Sequence, residues 1–169
     1  MAPTWGREMG DKEILEKAVK LFHEAYRRQM DGELEDAMRL YQESIHCCPT
    51  AEAHTFLGWT MSFEGRYEEA IEECKKAIAV DPQFGNPYND IGAYLINLGR
   101  PDEAIPWLEK AMTAGRYEAY HYPHCNLGRV YLAKGMLNKA VEEFEKALAI
   151  EPNYTFAREA IEAIRGQLH

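Results

Sequence analysis

His121, His124 and Cys125 stand at i, i+3 and i+4, a spacing that puts three potential metal ligands on one face of a helix. Three ligands still need a fourth and a supporting shell of hydrogen bonds, so we read no metal site here. The neighbours Cys47 and Cys48 admit a redox pair. A reading in which Cys47 packs inward and Cys48 faces solvent explains them more simply. His46 and His54 flank that pair without a coherent ligand spacing. With Cys74 and Cys125 the cysteines number four, with no CxxC and no disulfide framework. That usage suits a reducing compartment and predicts a cytoplasmic protein. No G-x-S-x-G turn and no Walker-type loop occurs. Glu142 and Glu143, adjacent on a helix, point to different faces. The chain is therefore read as a non-enzyme without metal or cofactor.

What must position any functional residue is a ladder of small residues. Gly58, Gly92 and Gly128 are each followed seven residues on by Gly65, Gly99 and Gly135. Alanines follow at Ala70, Ala104 and Ala140, then at Ala77, Ala111 and Ala147. The N-terminal segment repeats the pattern with Ala25, Gly32, Ala37 and Ser44, and Pro49, Pro82 and Pro152 close three of the four units. The second glycines recur at 33, 34 and 36 residues, and a period near 34 means stacked repeats. Each unit predicts two helices that turn at the second glycine. The first glycine marks a close crossing against the facing alanine of the second helix. Leu57, Ile91, Leu127, Leu108 and Phe144 fill the space around the crossings. Cys74 takes the slot of Leu108 and Phe144, and Cys47 that of Val80 and Ile150, both read as core.

With these residues in place, the chain resembles the tetratricopeptide repeat family, whose pattern is W-x2-L-G-x2-Y, then A-x3-F, then P. The second unit has Leu57-Gly58, Tyr67, Ala70, Ala77 and Pro82; the fourth has Leu127-Gly128, Tyr131, Ala140, Phe144, Ala147 and Pro152. The third carries Ile91-Gly92, Ala104, Leu108 and Ala111 but has Arg116 in place of proline, and the first is degenerate. The resemblance implies an all-α, right-handed helical-repeat solenoid of four helix-turn-helix units. We place a loose arm at residues 1–12, with Trp5 in it. A single repeat domain follows at 13–168, with units near 18–50, 51–84, 85–120 and 121–154. Residues 155–168 form a C-terminal capping helix whose apolar stripe is Phe156, Ala160, Ile161, Ile164 and Leu168. His124 falls where the family often has a core-facing aromatic.

The resemblance also implies protein binding on a concave groove lined by the first helix of each unit. Counting from residues 18, 51, 85 and 121, positions two, five, nine, twelve and thirteen face that groove. The first half then carries Phe22, Tyr26, Trp59 and Phe63. The second carries Asn86, Asn89, Asn97, Tyr122 and Arg129. Aromatic side chains serve as anchors, amides as backbone partners, and Arg129 as a carboxylate partner. The junction at 113–123, with Tyr117, Tyr120 and Tyr122, is a second candidate. One branch of the family grips acidic chaperone tails with a basic clamp. The matching slots here hold Phe22, Tyr26, Phe56, Asn86 and Asp90, none of them basic, so such a tail is excluded.

The net charge of −9 is spread along the chain without a basic stripe, which argues against nucleic acid as a partner. No run of 18 apolar residues exists, so no membrane span is expected. The expected role is an adaptor that binds a peptide segment of another protein. The alternative is assembly or self-association through the solenoid ends.

Overall fold

The computed structural model describes residues 10–168, so the arm through residue 9, Trp5 included, lies outside the described residues. Nine α-helices follow one another among the described residues: α1 Asp11–Met30, α2 Leu34–Cys47, α3 Ala51–Phe63, α4 Tyr67–Val80, α5 Asn86–Asn97, α6 Pro101–Thr113, α7 His121–Ala133, α8 Leu137–Ile150 and α9 Thr155–Gln167. The fold is an all-helical repeat solenoid. Helix α1 already begins at Asp11, with Asp11 and Glu13 in its first turn, where carboxylates favour the helix N-terminus. The Gly10 N–H donates to Glu13 Oε2 at 3.3 Å, which starts the helix ahead of residue 13.

Within each unit the helices turn where the second glycines predict. Gly32, Gly65, Gly99 and Gly135 have φ of 82°, 72°, 73° and 70°, a left-handed conformation that side chains with a Cβ adopt at a cost. The next residue's N–H reaches back five residues each time: Glu33 to Arg28 O, Arg66 to Met61 O, Arg100 to Leu95 O and Met136 to Tyr131 O. This closure satisfies carbonyls that the helix end would leave bare.

The crossings use the small residues in two ways. A Cβ added to Gly58 would stand 2.9 Å from the Ala70 carbonyl oxygen, so α3 and α4 meet backbone to backbone. At Gly92 the added Cβ would meet Leu108 at 2.4 Å, and at Gly128 the Phe144 ring at 2.6 Å. There the glycine makes room for the large residue four after the alanine rather than for the alanine itself. Unit two holds Cys74 in that slot, and the smaller side chain is what accompanies the closer approach.

The core runs continuously through Ala25, Tyr41, Leu57, Cys74, Ile91, Leu108 and Val130, and a second cluster joins Phe144 to Ile161 and Ile164 of α9. Two expectations fail here. The slot of Cys47, Val80 and Ile150 is not core: Val80 and Ile150 are each 46% exposed and Cys47 is half-buried, because the last turn of the second helix faces outward. The cap buries Ala157, Ile161 and Ile164, while Phe156 and Leu168 lie about half exposed at the stripe's edge.

The first helices touch in succession, α1 on α3, α3 on α5 and α5 on α7. They form one continuous wall, and this wall carries the candidate site.

Candidate functional site

The wall begins with an aromatic run. Phe22 and Tyr26 of α1 both meet the Phe56 ring of α3 edge-on, with centroids 5.2 and 5.8 Å apart. Phe56 meets Trp59 at 5.7 Å, and Trp59 meets Phe63 at 5.3 Å. Such tilted and edge-to-face pairs hold one another in place. Tyr26 and Phe63 stay 39% and 56% exposed, Phe22 and Trp59 half-buried. Phe56 is the hub of the run. It sits at position six of its unit, which the five-position register omits.

The second half is polar and tied together. Arg129 donates to Asn126 Oδ1 at 2.9 Å and to Asn97 Oδ1 at 2.8 Å. Asn126 Nδ2 donates to Asn89 Oδ1 at 2.9 Å, and Asn89 Nδ2 to Asp90 Oδ1 at 3.4 Å. Three of these bonds run in one line, from the Arg129 guanidinium through Asn126 and Asn89 to the Asp90 carboxylate, and the bond to Asn97 branches from it. Arg129, Asn89 and Asn97, singled out as ligand contacts, thus bond to one another and to Asn126. Asp90 receives that one long amide bond and, among the described residues, stands in no ion pair. Burial pushes its carboxyl up to about 7, against the opposing effect of the Asn89 bond.

Between the two halves lies a pocket of about 420 Å³. Thr55, Phe56 and Trp59 line it from α3, Asn86, Asn89, Asp90 and Ala93 from α5, and Tyr122 and Asn126 from α7. The last wall is Tyr117, from the tyrosine-rich junction. The groove and the junction, which stand as two candidates in sequence, meet in one site.

The junction is held there by its own chemistry. Arg116 N–H donates to Gln83 O at 2.8 Å and Gly85 N–H to Arg116 O at 3.1 Å, a single parallel bridge between two loops. The Arg116 side chain reaches Asp81 and Glu52, both at 2.8 Å, and lies 4.2 Å over the Phe84 ring. Its guanidinium hydrogen bond holds the Asp81 carboxyl below the usual range. Arg116, which replaces the expected proline, is therefore the clasp that carries Tyr117 to the pocket. Gly85 completes it: a Cβ there would stand 2.4 Å from Tyr117 Cβ.

The other histidines and cysteines are dispersed. His124 Nδ1 lies 2.7 Å from Glu143 Oε2 of α8, and His54 Nδ1 lies 2.8 Å from Glu73 Oε2 of α4. His121 packs against Tyr122 and Tyr154, and Cys125 is buried. Among the described residues no three His, Cys, Asp or Glu side chains gather in a group fit to hold a metal ion.

The geometry defines a class: a helical-repeat stack whose first helices present a half-aromatic, half-amide groove. The tetratricopeptide repeat family model matches residues 51–84 and 84–152. The chain belongs to the tetratricopeptide repeat family, whose members mediate protein–protein interaction and are typically non-enzymatic scaffolds. It is 25% identical over 128 residues to the BBSome complex member BBS4 of Bos taurus, covering 75% of this chain and 24% of that protein. It is 30% identical over 123 residues to the type IV pilus assembly protein PilF of Pseudomonas aeruginosa, covering 72% of this chain and 49% of PilF. The chain thus spans half or less of the length of these curated relatives. The solved PilF structure superposes with a TM-score of 0.81 at 25% identity, covering 94% of this chain and 71% of that one. YrrB, described as a TPR protein with an unusual peptide-binding site, superposes with a TM-score of 0.66 at 21% identity over 94% of this chain and 84% of that one, a likeness of fold. No helix among the described residues is long and apolar enough to cross a membrane.

Proposed function

We propose that this chain is an adaptor that binds a peptide segment of a partner protein in the groove of its first helices. The observation that carries the reading is the unbroken aromatic run Phe22, Tyr26, Phe56, Trp59 and Phe63, which opens onto the pocket at Asn86, Asn89 and Tyr122. Phe56 and Trp59 of this run line the pocket, and Tyr26 and Phe63 keep more than a third of their surface in water, where apolar area is available for a ligand to cover. Asn97 and Arg129 border the same groove and stiffen its far wall. Among the described residues, no basic side chain other than Arg129 belongs to this network, which disfavours nucleic acid.

The test is selection of random displayed dodecapeptides on the full chain. Trp59→Ala and Tyr26→Ala are expected to weaken selected peptides by about 2 kcal/mol each, the scale of a buried aromatic anchor, with far-ultraviolet circular dichroism unchanged. Selected peptides that bind both variants at full strength would show that another surface is used.

A further inference from the structure

The pocket is lined by a carboxylate, Asp90, that stands in no ion pair among the described residues. Asp90 lies at the foot of a line of three hydrogen bonds, from Arg129 through Asn126 and Asn89, and the Arg129 guanidinium bonds to Asn126 and Asn97 rather than to Asp90. Its second oxygen has no hydrogen-bond partner among the described residues. Aromatic rings from three separate elements line the same pocket: Phe56 and Trp59 of α3, Tyr117 of the junction and Tyr122 of α7. The ring faces of such side chains carry negative potential and attract cations. The Asn86 amide adds an oxygen able to accept a hydrogen bond. A carboxylate in a pocket lined by aromatic rings and an amide acceptor complements a long aliphatic stem that ends in a positive head.

We propose that the pocket receives the side chain of an arginine or lysine in the bound peptide, with the cationic head at Asp90 and the stem between Trp59 and Tyr122. This rests on the groove reading above and names the chemistry of its ligand. An apolar anchor would leave Asp90 desolvated and unpaired, whereas a cation replaces the lost water with a charge-assisted bond. The acidic protein as a whole attracts the same ligand at long range. Burial also pushes the hydroxyls of Tyr94 and Tyr117 and the thiol of Cys74 upward, so these neighbours stay neutral and add no competing charge.

The test uses small probes on the full chain, followed by nuclear magnetic resonance of the Trp59 indole N–H and the Asp90 backbone amide. N-acetyl-arginine amide and N-acetyl-lysine amide are the cationic probes. N-acetyl-citrulline amide and N-acetyl-norleucine amide are their neutral shapes, and N-acetyl-glutamate amide carries the opposite sign. We expect the cationic probes to shift both signals and the neutral and acidic ones to bind roughly tenfold more weakly or worse, the scale of a hydrogen bond to a charged group. In Asp90→Asn the arginine and citrulline probes become equivalent. Equal binding of arginine and citrulline probes to the unaltered chain, shifts that avoid the pocket, or no shift with any probe overturns the proposal without relying on a variant. Groove failure is read separately. Selected peptides that need Trp59 but carry no basic residue refute the cation pocket and leave the groove standing. Peptides indifferent to Trp59 and Tyr26 refute both.

Discussion

Asp90→Asn is expected to stabilise the folded protein at neutral pH and to lose that effect in acid. The aspartyl carboxyl ordinarily titrates near 3.9 and here is pushed up to about 7 by burial. A folded-state value above the unfolded one means that the folded protein holds the proton more tightly. Below about pH 4 the group is protonated in both states and has no effect. Between about pH 4 and 7 the unfolded chain ionises first, so stability falls as pH rises, and above about 7 the penalty is constant. Three pH units at about 1.4 kcal/mol each bound it at about 4 kcal/mol. Asp90 is only half-buried on the wall of an open groove, where solvent screens the charge, so about 2 kcal/mol is the expected size. Asparagine keeps the shape and the acceptor for Asn89 while removing the charge. Urea unfolding of parent and variant at pH 4, 5, 6, 7 and 8, followed by circular dichroism, gives the difference directly. It should be near zero at pH 4 and reach about 2 kcal/mol at pH 8, a melting shift of roughly 4–8 °C. A difference that is the same at pH 4 and pH 8 would show that Asp90 is fully solvated, and would remove its unanswered charge from the description of the pocket.

Ala70→Leu places a branched side chain at the backbone contact between Gly58 and α4, where Ala70 is fully buried. It is expected to cost about 1–3 kcal/mol by overpacking, read as a lower urea midpoint. For the thiols, Cys47 and Cys48 are half-buried, Cys74 and Cys125 are buried, and burial pushes Cys74 well up and Cys125 to about 11. A thiol reagent should therefore label the first two quickly and the others only after denaturation; fast labelling of all four would contradict the packing of α4 and α7.

The repeat was legible in the sequence because backbone geometry permits few residues at its critical points. A left-handed turn selects glycine, and a tight crossing selects glycine or alanine, so Gly65 and Ala70 announce their roles. The aromatic run was legible for a similar reason: Phe22 and Tyr26, and Trp59 and Phe63, each stand four residues apart on one helix face. What the register missed lies one position away. Phe56, Asp90 and Asn126 occupy position six of their units, about 100° around the helix from position five, and a groove wider than one stripe takes in both. Tyr117 was visible as an unusual residue, but its place depends on loop pairing between 83–85 and 115–117, which no periodicity encodes. The slot of Cys47, Val80 and Ile150 lies outward despite its apolar residue types, because apolar atoms also make up much of a protein's surface and residue type alone does not fix burial.

The units also differ where their second helix meets the first. Position four meets position twenty-three in units two, three and four, and the chemistry of these positions changes along the stack. In units two and four it is histidine with glutamate, His54 with Glu73 and His124 with Glu143, at 2.8 and 2.7 Å. In unit three it is Tyr88 with Trp107, their rings 6.2 Å apart, and in unit one the positions hold Leu21 and Leu40. Each glutamate also accepts from a lysine three residues on, Lys76 or Lys146. For Glu73 burial disfavours the charge, yet the His54 and Lys76 bonds outweigh it and the carboxyl sits below its usual range. One geometric slot thus accepts an apolar, an aromatic or a bonded polar pair, provided the two partners answer each other. Asp90 breaks that rule. Phe56 and Asn126, its counterparts in the neighbouring units, meet aromatic rings and an amide ladder, whereas its own free oxygen meets no partner among the described residues. Among the described residues the other half-buried carboxylates have bonded partners, and Asp90, with one oxygen left open, lines the pocket, which is why we place the partner's charge there.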